Sequence, residues 1–132
     1  MKVLVADDHE IIRIGIMHIL QEEFVIKEAG EACDTDSLIE AAVSKNWDII
    51  ISDISMPGGN GIEALKKILA QKPGQRILII TIYPEDQYAI PVLRAGACGF
   101  LNKDAAPEKL IDAVKIILAG KRFIPSSLID QF

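Results

Sequence analysis

The sequence predicts a single α/β domain in which helices cover both faces of a parallel sheet. Five short apolar runs alternate with segments whose apolar residues recur at helical spacing. The connections between them are short, and such βα repeats are typical of a parallel sheet with right-handed crossovers. A chain of 132 residues fits one domain that can bury its core without disulfides or metal.

The five apolar runs are the predicted strands. The third and fourth are apolar at nearly every position, which is typical of parallel strands covered by helices on both sides. In chain order the predicted strands are Val3–Ala6, a segment that begins with Phe24–Ile26, Asp48–Asp53, Arg76–Thr81 and Gly99–Leu101.

Each predicted strand is followed by a predicted helix. The second helix is expected over Ser37–Lys45 with Thr35 or Asp36 as its cap, and the third over Gly61–Gln71. The first and last helices are predicted from apolar stripes. These stripes consist of Ile12, Ile16, Ile19 and Leu20, and of Leu110, Ile111, Val114, Ile117 and Leu118.

Prolines and glycines mark the limits of the last two helices. The fourth helix is expected to end at Gly96, because glycine suits the position after a helix. It contains Pro91, which cannot donate a backbone hydrogen bond, so we expect this helix to begin late or to be kinked. Pro107 and Gly120 mark the start and the end of the fifth helix.

Composition and charge limit the functions that the chain can have. The net charge of −5 argues against a nucleic-acid-binding surface, which needs clustered Lys and Arg. Cys33 and Cys98 are too few for a disulfide framework and lack metal-ligand spacing. No secretory signal follows Met1, and no apolar stretch approaches the ~20 residues that span a bilayer. We therefore expect a cytoplasmic domain without membrane contact.

Five polar side chains follow the carboxyl ends of the predicted strands. They are Asp7 and Asp8 after the first strand, Asp53 at the third, Thr81 at the fourth and Lys103 just beyond the fifth. In a parallel sheet these ends share one rim, where ligands bind. Each residue alone has an ordinary explanation, such as a helix cap for Asp8 or a turn for Asp53. Their coincidence at one rim favours a functional site.

This set of side chains suits metal-assisted phosphoryl transfer. Three carboxylates in one pocket repel each other unless a cation joins them, and Mg²⁺ prefers oxygen ligands. A carboxylate can also act as a nucleophile and form an aspartyl-phosphate. The attack of an anion on a phosphoryl group requires that negative charge be offset, which Mg²⁺ and a lysine can do. A threonine hydroxyl can donate to a phosphoryl oxygen.

Several stretches resemble the receiver domain of bacterial two-component response regulators. The similarity covers residues 1–120 and rests on Asp7-Asp8, Asp53-Ile54-Ser55-Met56-Pro57 with Gly61, Thr81, and Gly99-Phe100-Leu101-Asn102-Lys103. Four further stretches are most similar to the LuxR/FixJ (NarL-like) subfamily, namely Val5–His9, Ala29–Ala32, Ser55–Gly58 and Arg94–Ala97. The resemblance implies a flavodoxin-like (CheY-like) doubly wound sheet of five parallel strands in the order 2-1-3-4-5, with five helices.

The resemblance also implies a role for each site residue. Asp53 would accept a phosphoryl group from a phosphohistidine of a sensor histidine kinase, and Lys103 would pair with that group. Thr81 would move toward the phosphoryl group, and Phe100 would be the switch aromatic that turns inward when Thr81 moves. The implied ligands of Mg²⁺ (or Mn²⁺) are Asp7, Asp8, Asp53 and the backbone carbonyl of Ser55.

Residues beside the site are expected to modulate access to the phosphoacceptor and the rate of dephosphorylation. Ile82 stands where the family often has a small residue, so it is expected to narrow the path to the phosphoacceptor. Tyr83 and Ser55 occupy positions that tune dephosphorylation in the family, and the bulky tyrosine is predicted to screen the acyl phosphate from water and slow autohydrolysis. His9 is expected at a helix start and not on the metal, and His18 on a helix surface.

Other functions fit the residues less well. An aspartate-nucleophile phosphatase usually carries Asp-x-Asp after its first strand, whereas Asp7 and Asp8 are adjacent. A flavodoxin-like nucleotide-binding module would need a Ser/Thr/Gly-rich phosphate loop at this place, where the sequence is acidic. A degenerate receiver that signals without phosphate disagrees with the presence of all five site residues.

The output of the switch is a separate expectation. Residues 121–132 are interpreted as a tail or the start of a linker, because they contain Pro125 and Ser126-Ser127 and no clear strand. Relatives in the subfamily normally continue into a helix-turn-helix domain, so we expect a transcriptional output that binds DNA through a domain outside this chain. The alternative is a stand-alone receiver that acts through protein–protein contacts. Phosphorylation is expected to favour a homodimer. The chain is not expected to be an enzyme, although a receiver takes part in its own phosphorylation and autodephosphorylation.

Overall fold

The computed structural model describes residues 1–131 and has a five-stranded parallel sheet between two layers of helices. The strand order is the predicted 2-1-3-4-5 when only the strands of this sheet are counted. These strands are β1 (Lys2–Ala6), β2 (Glu28–Ala32), β3 (Ile49–Ser52), β6 (Ile77–Thr81) and β7 (Gly99–Asn102). A separate antiparallel hairpin consists of β4 (Ser55–Met56) and β5 (Gly59–Asn60). The helices are α1 (Glu10–Glu23), α2 (Thr35–Ser44), α3 (Gly61–Gln71), α4 (Glu85–Arg94) and α5 (Ala106–Leu118).

The core is divided between the two faces of the sheet because successive strand residues point to opposite sides. In β1, Leu4 faces the layer of α2, α3 and α4, whereas Val3 and Val5 face the layer of α1 and α5. The central strand β3 is buried along its whole length. The inner strands are therefore apolar, as predicted, because helix layers cover both faces of the sheet.

The position of the second strand differs from the prediction. The apolar run from Phe24 to Ile26 is not the start of a strand, because Phe24 caps the end of α1 and Val25 is 80% exposed. The strand is formed by Glu28–Ala32, whose residues are small or charged. It lies at the edge of the sheet, where alternating exposed positions need no apolar side chain. Gly30 is required because a Cβ there would lie 2.6 Å from the Trp47 ring.

The second and fourth helices also begin at positions that differ from those predicted. Asp34, and not Thr35 or Asp36, caps α2, since its carboxylate accepts from Ser37 N–H at 2.7 Å. Helix α4 begins at Glu85 and contains Pro91 in its interior, so it does not begin late, after this proline. The alternative, a kink in the helix, stays a prediction. The limits predicted for α3 are those observed.

The hairpin β4–β5 leads from β3 into α3 and was not predicted as strand. Its turn consists of Pro57 and Gly58. Gly58 has a φ of 95°, a left-handed conformation that favours glycine. Asn60 then caps α3, with its side-chain oxygen accepting from Ile62 N–H at 2.8 Å. The hairpin thus begins two residues after Asp53 and leads directly into α3.

The segment that follows α5 packs against the edge strand β7. Phe123 N–H donates to the Cys98 carbonyl at 2.8 Å, and Phe100 N–H donates to the Phe123 carbonyl at 3.3 Å. Leu128 is buried in the core beside α4. The interpretation of residues 121–132 as a tail or linker stays a prediction, and Phe132 lies outside the described residues. Across residues 1–131, no helix has the length and apolarity that a membrane crossing requires.

Candidate functional site

The sheet brings two aspartates to the same rim. Asp7 directly follows β1, and its N–H donates to the Ala32 carbonyl at 3.0 Å. Asp53 follows β3, and its N–H donates to the Ala6 carbonyl at 2.9 Å. These backbone bonds continue the parallel ladder past the strand ends and fix both residues side by side. Both side chains are almost completely buried, which is costly for carboxylates without a partner.

Lys103 supplies that partner. It follows β7 in a short 3₁₀ segment, Lys103–Ala105, and its side chain is 13% exposed. Its Nζ lies 2.9 Å from Asp7 Oδ2 and 2.9 Å from Asp53 Oδ2. One ammonium thus joins the carboxylates of two non-adjacent strand ends, so three of the five predicted residues are in direct contact.

The environment shifts the pKa of two of these groups. Burial would raise the pKa of the Asp7 carboxyl, but hydrogen bonds from Lys103 and from His9 N–H hold it below its ordinary 3.8. Burial would lower the pKa of the Lys103 ammonium, but its hydrogen bonds to Asp7 and Asp53 and their negative charges raise it above 10.5. Asp7 and Lys103 are therefore both charged at neutral pH.

Asp8 and His9 extend the acidic cluster toward solvent. The Asp8 side chain is 31% exposed. His9 is at the start of α1, as predicted, but its Nδ1 also lies 3.1 Å from a carboxylate oxygen of each of Asp7 and Asp8. One ligand atom from each of these three residues lies within 4.8 Å of the others. The carboxylate oxygens are the hard ligands that Mg²⁺ prefers, so the donor chemistry fits this ion.

Arg13 is a contributor to the site that the sequence did not reveal. Its guanidinium donates to the Asp7 backbone carbonyl at 2.7 Å, and its Nε donates to Glu31 at 3.1 Å. Because Arg13 is on α1 and Glu31 on β2, this bridge holds the loop after β1 from both sides. The only sequence signal for this role of Arg13 is its position one turn into the helix after an acidic loop, and that signal is weak. His18 lies on the surface of α1, as predicted, and its Nε2 is 3.3 Å from Glu22 Oε1.

Thr81 and Tyr83 form the other side of the rim. Thr81 is completely buried at the end of β6, and its Oγ1 accepts from Tyr83 N–H at 3.2 Å. The Tyr83 hydroxyl donates to Ser55 Oγ at 3.0 Å. Ser55 N–H in turn donates to Asp53 Oδ1 at 3.1 Å. A chain of hydrogen bonds thus runs from the threonine to the aspartate.

Phe100 and Ile82 take opposite orientations. Phe100 is buried beneath the rim, among the core residues beside α4, which is the inward position of the predicted switch aromatic. Ile82 is 68% exposed, so its side chain contributes an apolar surface at the rim. Whether it narrows the path to Asp53 stays a prediction.

Fold and rim together define a phosphoacceptor domain of two-component signalling. The response regulator receiver domain family matches residues 3–115, and the chain belongs to this family. Its relatives make it a receiver of the LuxR/FixJ (NarL-like) type.

Individual relatives agree with this assignment. The chain is 36% identical over 129 residues to the response regulator UvrY of Escherichia coli (strain K12), a match that covers 98% of this chain and 59% of UvrY. It is 32% identical to the isolated receiver domain of RcsB from Salmonella enterica serovar Typhimurium, solved with the phosphomimetic BeF₃⁻, at a TM-score of 0.87 and a coverage of 97% and 95%. A LuxR-family response regulator from Aurantimonas gives 32% identity and a TM-score of 0.88, with 98% and 92% covered.

The curated relative UvrY is longer than the region that this chain matches. The chain spans about three-fifths of the length of UvrY. RcsB has also been solved as two dimers bound to two parallel DNAs.

Proposed function

We propose that Asp53 is the phosphoacceptor of this receiver and that Lys103, Thr81, Asp7 and Asp8 serve the transfer. The observation that carries the proposal is the position of Lys103 Nζ, 2.9 Å from both Asp7 and Asp53. An ammonium in this place offsets the charge of an anionic nucleophile that must attack an anionic phosphoryl group.

The roles of the residues follow from their positions. A carboxylate oxygen of Asp53 attacks phosphorus in line with the leaving group, and the bond from phosphorus to the donor breaks. Ser55 N–H holds Asp53 Oδ1 and so orients the attacking carboxylate. Lys103 moves from carboxylate oxygen to phosphoryl oxygen as charge develops there. Thr81, now bonded to Tyr83 N–H, gains a phosphoryl oxygen as an alternative partner.

Asp7, Asp8, Asp53 and the backbone carbonyl of Ser55 would hold Mg²⁺ or Mn²⁺. The divalent ion supplies charge that offsets the phosphoryl oxygens during transfer. Asp7 is ionised at neutral pH, since its pKa lies below the ordinary 3.8, so it needs no proton loss before it can bind a cation.

The partners are proposed from the family and from the relatives. The phosphoryl donor is a phosphohistidine of a sensor histidine kinase in the cytoplasm. The switched output is a DNA-binding activity beyond residues 1–132, with homodimer formation on phosphorylation. RcsB, a relative, has been solved as dimers bound to DNA. The proposed physical basis is a population shift between two arrangements of the α4 and β7 region, in which Thr81 and Phe100 differ. The chain takes part in its own phosphorylation and autodephosphorylation but is a signalling protein.

Phosphorylation with a small-molecule donor tests the proposal. The chain is incubated with acetyl phosphate and Mg²⁺, and intact mass is measured for the wild type and Asp53→Asn. We expect one phosphoryl adduct on the wild type and none on the variant, which lacks the carboxylate nucleophile but keeps its size. An adduct that persists in Asp53→Asn, or never forms on the wild type, would contradict the proposal. Chelation of the metal should abolish the adduct.

Tyr83→Ala should shorten the lifetime of the acyl phosphate. The tyrosine hydroxyl donates to Ser55 Oγ, two residues after Asp53, so we expect its ring to limit the entry of water to the acyl phosphate. Its removal is expected to accelerate autodephosphorylation about tenfold, which corresponds to about 1.4 kcal/mol in the barrier. The decay of the phosphorylated mass after removal of the donor measures the rate. Tyr83→Phe keeps the ring and should decay close to the wild-type rate, and an unchanged decay in Tyr83→Ala would count against the screening role.

A further inference from the structure

Two tyrosines form a stacked pair beside the phosphorylation site. The rings of Tyr83 and Tyr88 have centroids 4.7 Å apart and planes inclined by 27°. Tyr83 lies in the loop after β6, and Tyr88 lies in the first turn of α4. Both line a groove of about 350 Å³, whose opposite wall is the hairpin β4–β5 and the start of α3. The pair therefore sits where the loop that follows Asp53 meets α4.

Hydrogen bonds fix the backbone and the tip of Tyr83 but leave the ring faces unconstrained. Its N–H donates to Thr81 Oγ1 at 3.2 Å, and its carbonyl accepts from Asn102 Nδ2 at 3.5 Å. Its hydroxyl donates to Ser55 Oγ at 3.0 Å, and Ser55 is exposed. A hydrogen bond between hydroxyls that water can reach adds little stability. The position of the ring must therefore depend on what packs against its face.

The ring of Tyr88 is that packing partner. An offset aromatic pair is stabilised beyond the area that it buries. Because Ala89, Val92 and Leu93 bury the inner face of α4 in the core, Tyr88 is carried by this helix and offers a surface on which Tyr83 can rest. Through this stack, the position of α4 determines the position of the Tyr83 ring.

We propose that Tyr88 is a positioning residue that acts through Tyr83 and sets the lifetime of the acyl phosphate. This inference rests on the proposed function of Asp53. In autodephosphorylation, water adds its oxygen to phosphorus, and the bond between phosphorus and the Asp53 carboxylate oxygen breaks. The electron pair of that bond returns to the carboxylate, and the protons of water pass to inorganic phosphate and solvent. Tyr83, held by Tyr88, restricts the entry of that water.

A packing role of Tyr88 and a positioning role through Tyr83 predict different rates of phosphoryl decay. If Tyr88 only covers the core, its loss destabilises the fold and leaves the decay of the phosphoryl group unchanged. If it acts through Tyr83, its loss accelerates decay and has no further effect once Tyr83 is gone. The two explanations differ in a double-mutant cycle.

Decay of the phosphorylated mass is therefore measured in a set of variants. Tyr88→Leu should decay about twofold to tenfold faster than the wild type, the range expected from loss of an aromatic stack. Tyr88→Phe keeps the stack and should decay at the wild-type rate. The double variant Tyr83→Ala with Tyr88→Leu should decay at the rate of Tyr83→Ala alone. Ile90→Ala, a half-buried change on the same helix, is the matched control and should not alter decay.

Fluorine NMR gives a second readout that needs no phosphoryl group. The chain has two tyrosines, so in 3-fluorotyrosine-labelled Tyr88→Phe and Tyr88→Leu the only signal comes from Tyr83. Tyr83 should be protected from a soluble paramagnetic agent in Tyr88→Phe and accessible to it in Tyr88→Leu. If the wild type takes no phosphoryl group, the proposed function fails and this inference fails with it. If the adduct forms but Tyr88→Leu decays like the wild type, or if Tyr83 is equally protected in both labelled variants, only this inference is overturned.

Discussion

Lys103→Ala should destabilise the folded chain by about 3 kcal/mol at neutral pH in the absence of divalent metal. The change leaves Asp7 and Asp53 buried side by side without the ammonium that contacts both at 2.9 Å. Two desolvated carboxylates that lose their shared cation are more costly than the original triad, because their charges repel and neither has the lost hydrogen bond. Urea unfolding followed by the fluorescence of Trp47, the single tryptophan, measures the change.

A second lysine provides the control for this experiment. Lys67 is exposed on α3, and Lys67→Ala alters the net charge by the same amount. It should change the free energy of unfolding by less than about 0.5 kcal/mol. Millimolar Mg²⁺ should restore part of the stability of Lys103→Ala and leave that of Lys67→Ala unchanged. Equal stability of the two variants without metal would show that the triad does not stabilise the fold.

The same variant should respond to pH in a defined direction. In the wild type the pKa of Asp7 is below 3.8, so its stabilisation is present above that pH and is lost as pH falls through the lowered value. Without Lys103, the burial of Asp7 and its repulsion by Asp53 remain. Both effects raise the pKa of the Asp7 carboxyl in the folded state. The folded variant then binds a proton more readily than the unfolded chain, and acidification stabilises it relative to the wild type. The difference in stability between the two should therefore narrow from neutral pH toward 3.8.

Residues whose surroundings are set by the sheet were predictable from the sequence. Asp7, Asp53 and Lys103 converge because parallel strands place their carboxyl ends on one rim, and strand order then fixes which of them are neighbours. The inner strands were found because helices cover both faces and nearly every position is apolar. The edge strand Glu28–Ala32 was missed, since an edge position covered on one side tolerates small and charged residues.

Features that depend on tertiary contacts escaped the sequence analysis. The contact of Arg13 with the Asp7 carbonyl requires the angle between α1 and β1, which no local pattern encodes. The stack of Tyr83 on Tyr88 joins a loop to a helix through ring geometry. The approach of His9 to two carboxylates depends on a side-chain rotamer. In each case the residue type was visible and its partner was not.

Gly61→Ala should both destabilise the chain and impair phosphorylation. Gly61 is the first residue of α3, and a Cβ at this position would lie 2.7 Å from the carbonyl carbon and Cα of Ile54, with the Ile54 carbonyl oxygen closer still. These are backbone atoms, so the clash cannot be relieved by a side-chain rotation. Residue 54 lies between Asp53 and Ser55. We expect a loss of about 3 kcal/mol, at the upper end for overpacked sites, measured by urea unfolding.

The effect of Gly61→Ala on phosphorylation depends on which part of the backbone moves. To escape the new methyl group, either α3 or the backbone around Ile54 must move, and the second movement displaces Ser55 N–H from Asp53 Oδ1, which it now contacts at 3.1 Å. The rate of adduct formation from acetyl phosphate should therefore fall even at temperatures where circular dichroism shows the variant to be fully folded. Gly15→Ala is the matched control, because a Cβ there meets nothing within 4 Å in the middle of α1. It should raise stability by about 0.5–1 kcal/mol and leave the phosphorylation rate unchanged. A folded Gly61→Ala chain that reacts at the wild-type rate would mean that α3 moves and the loop after Asp53 does not.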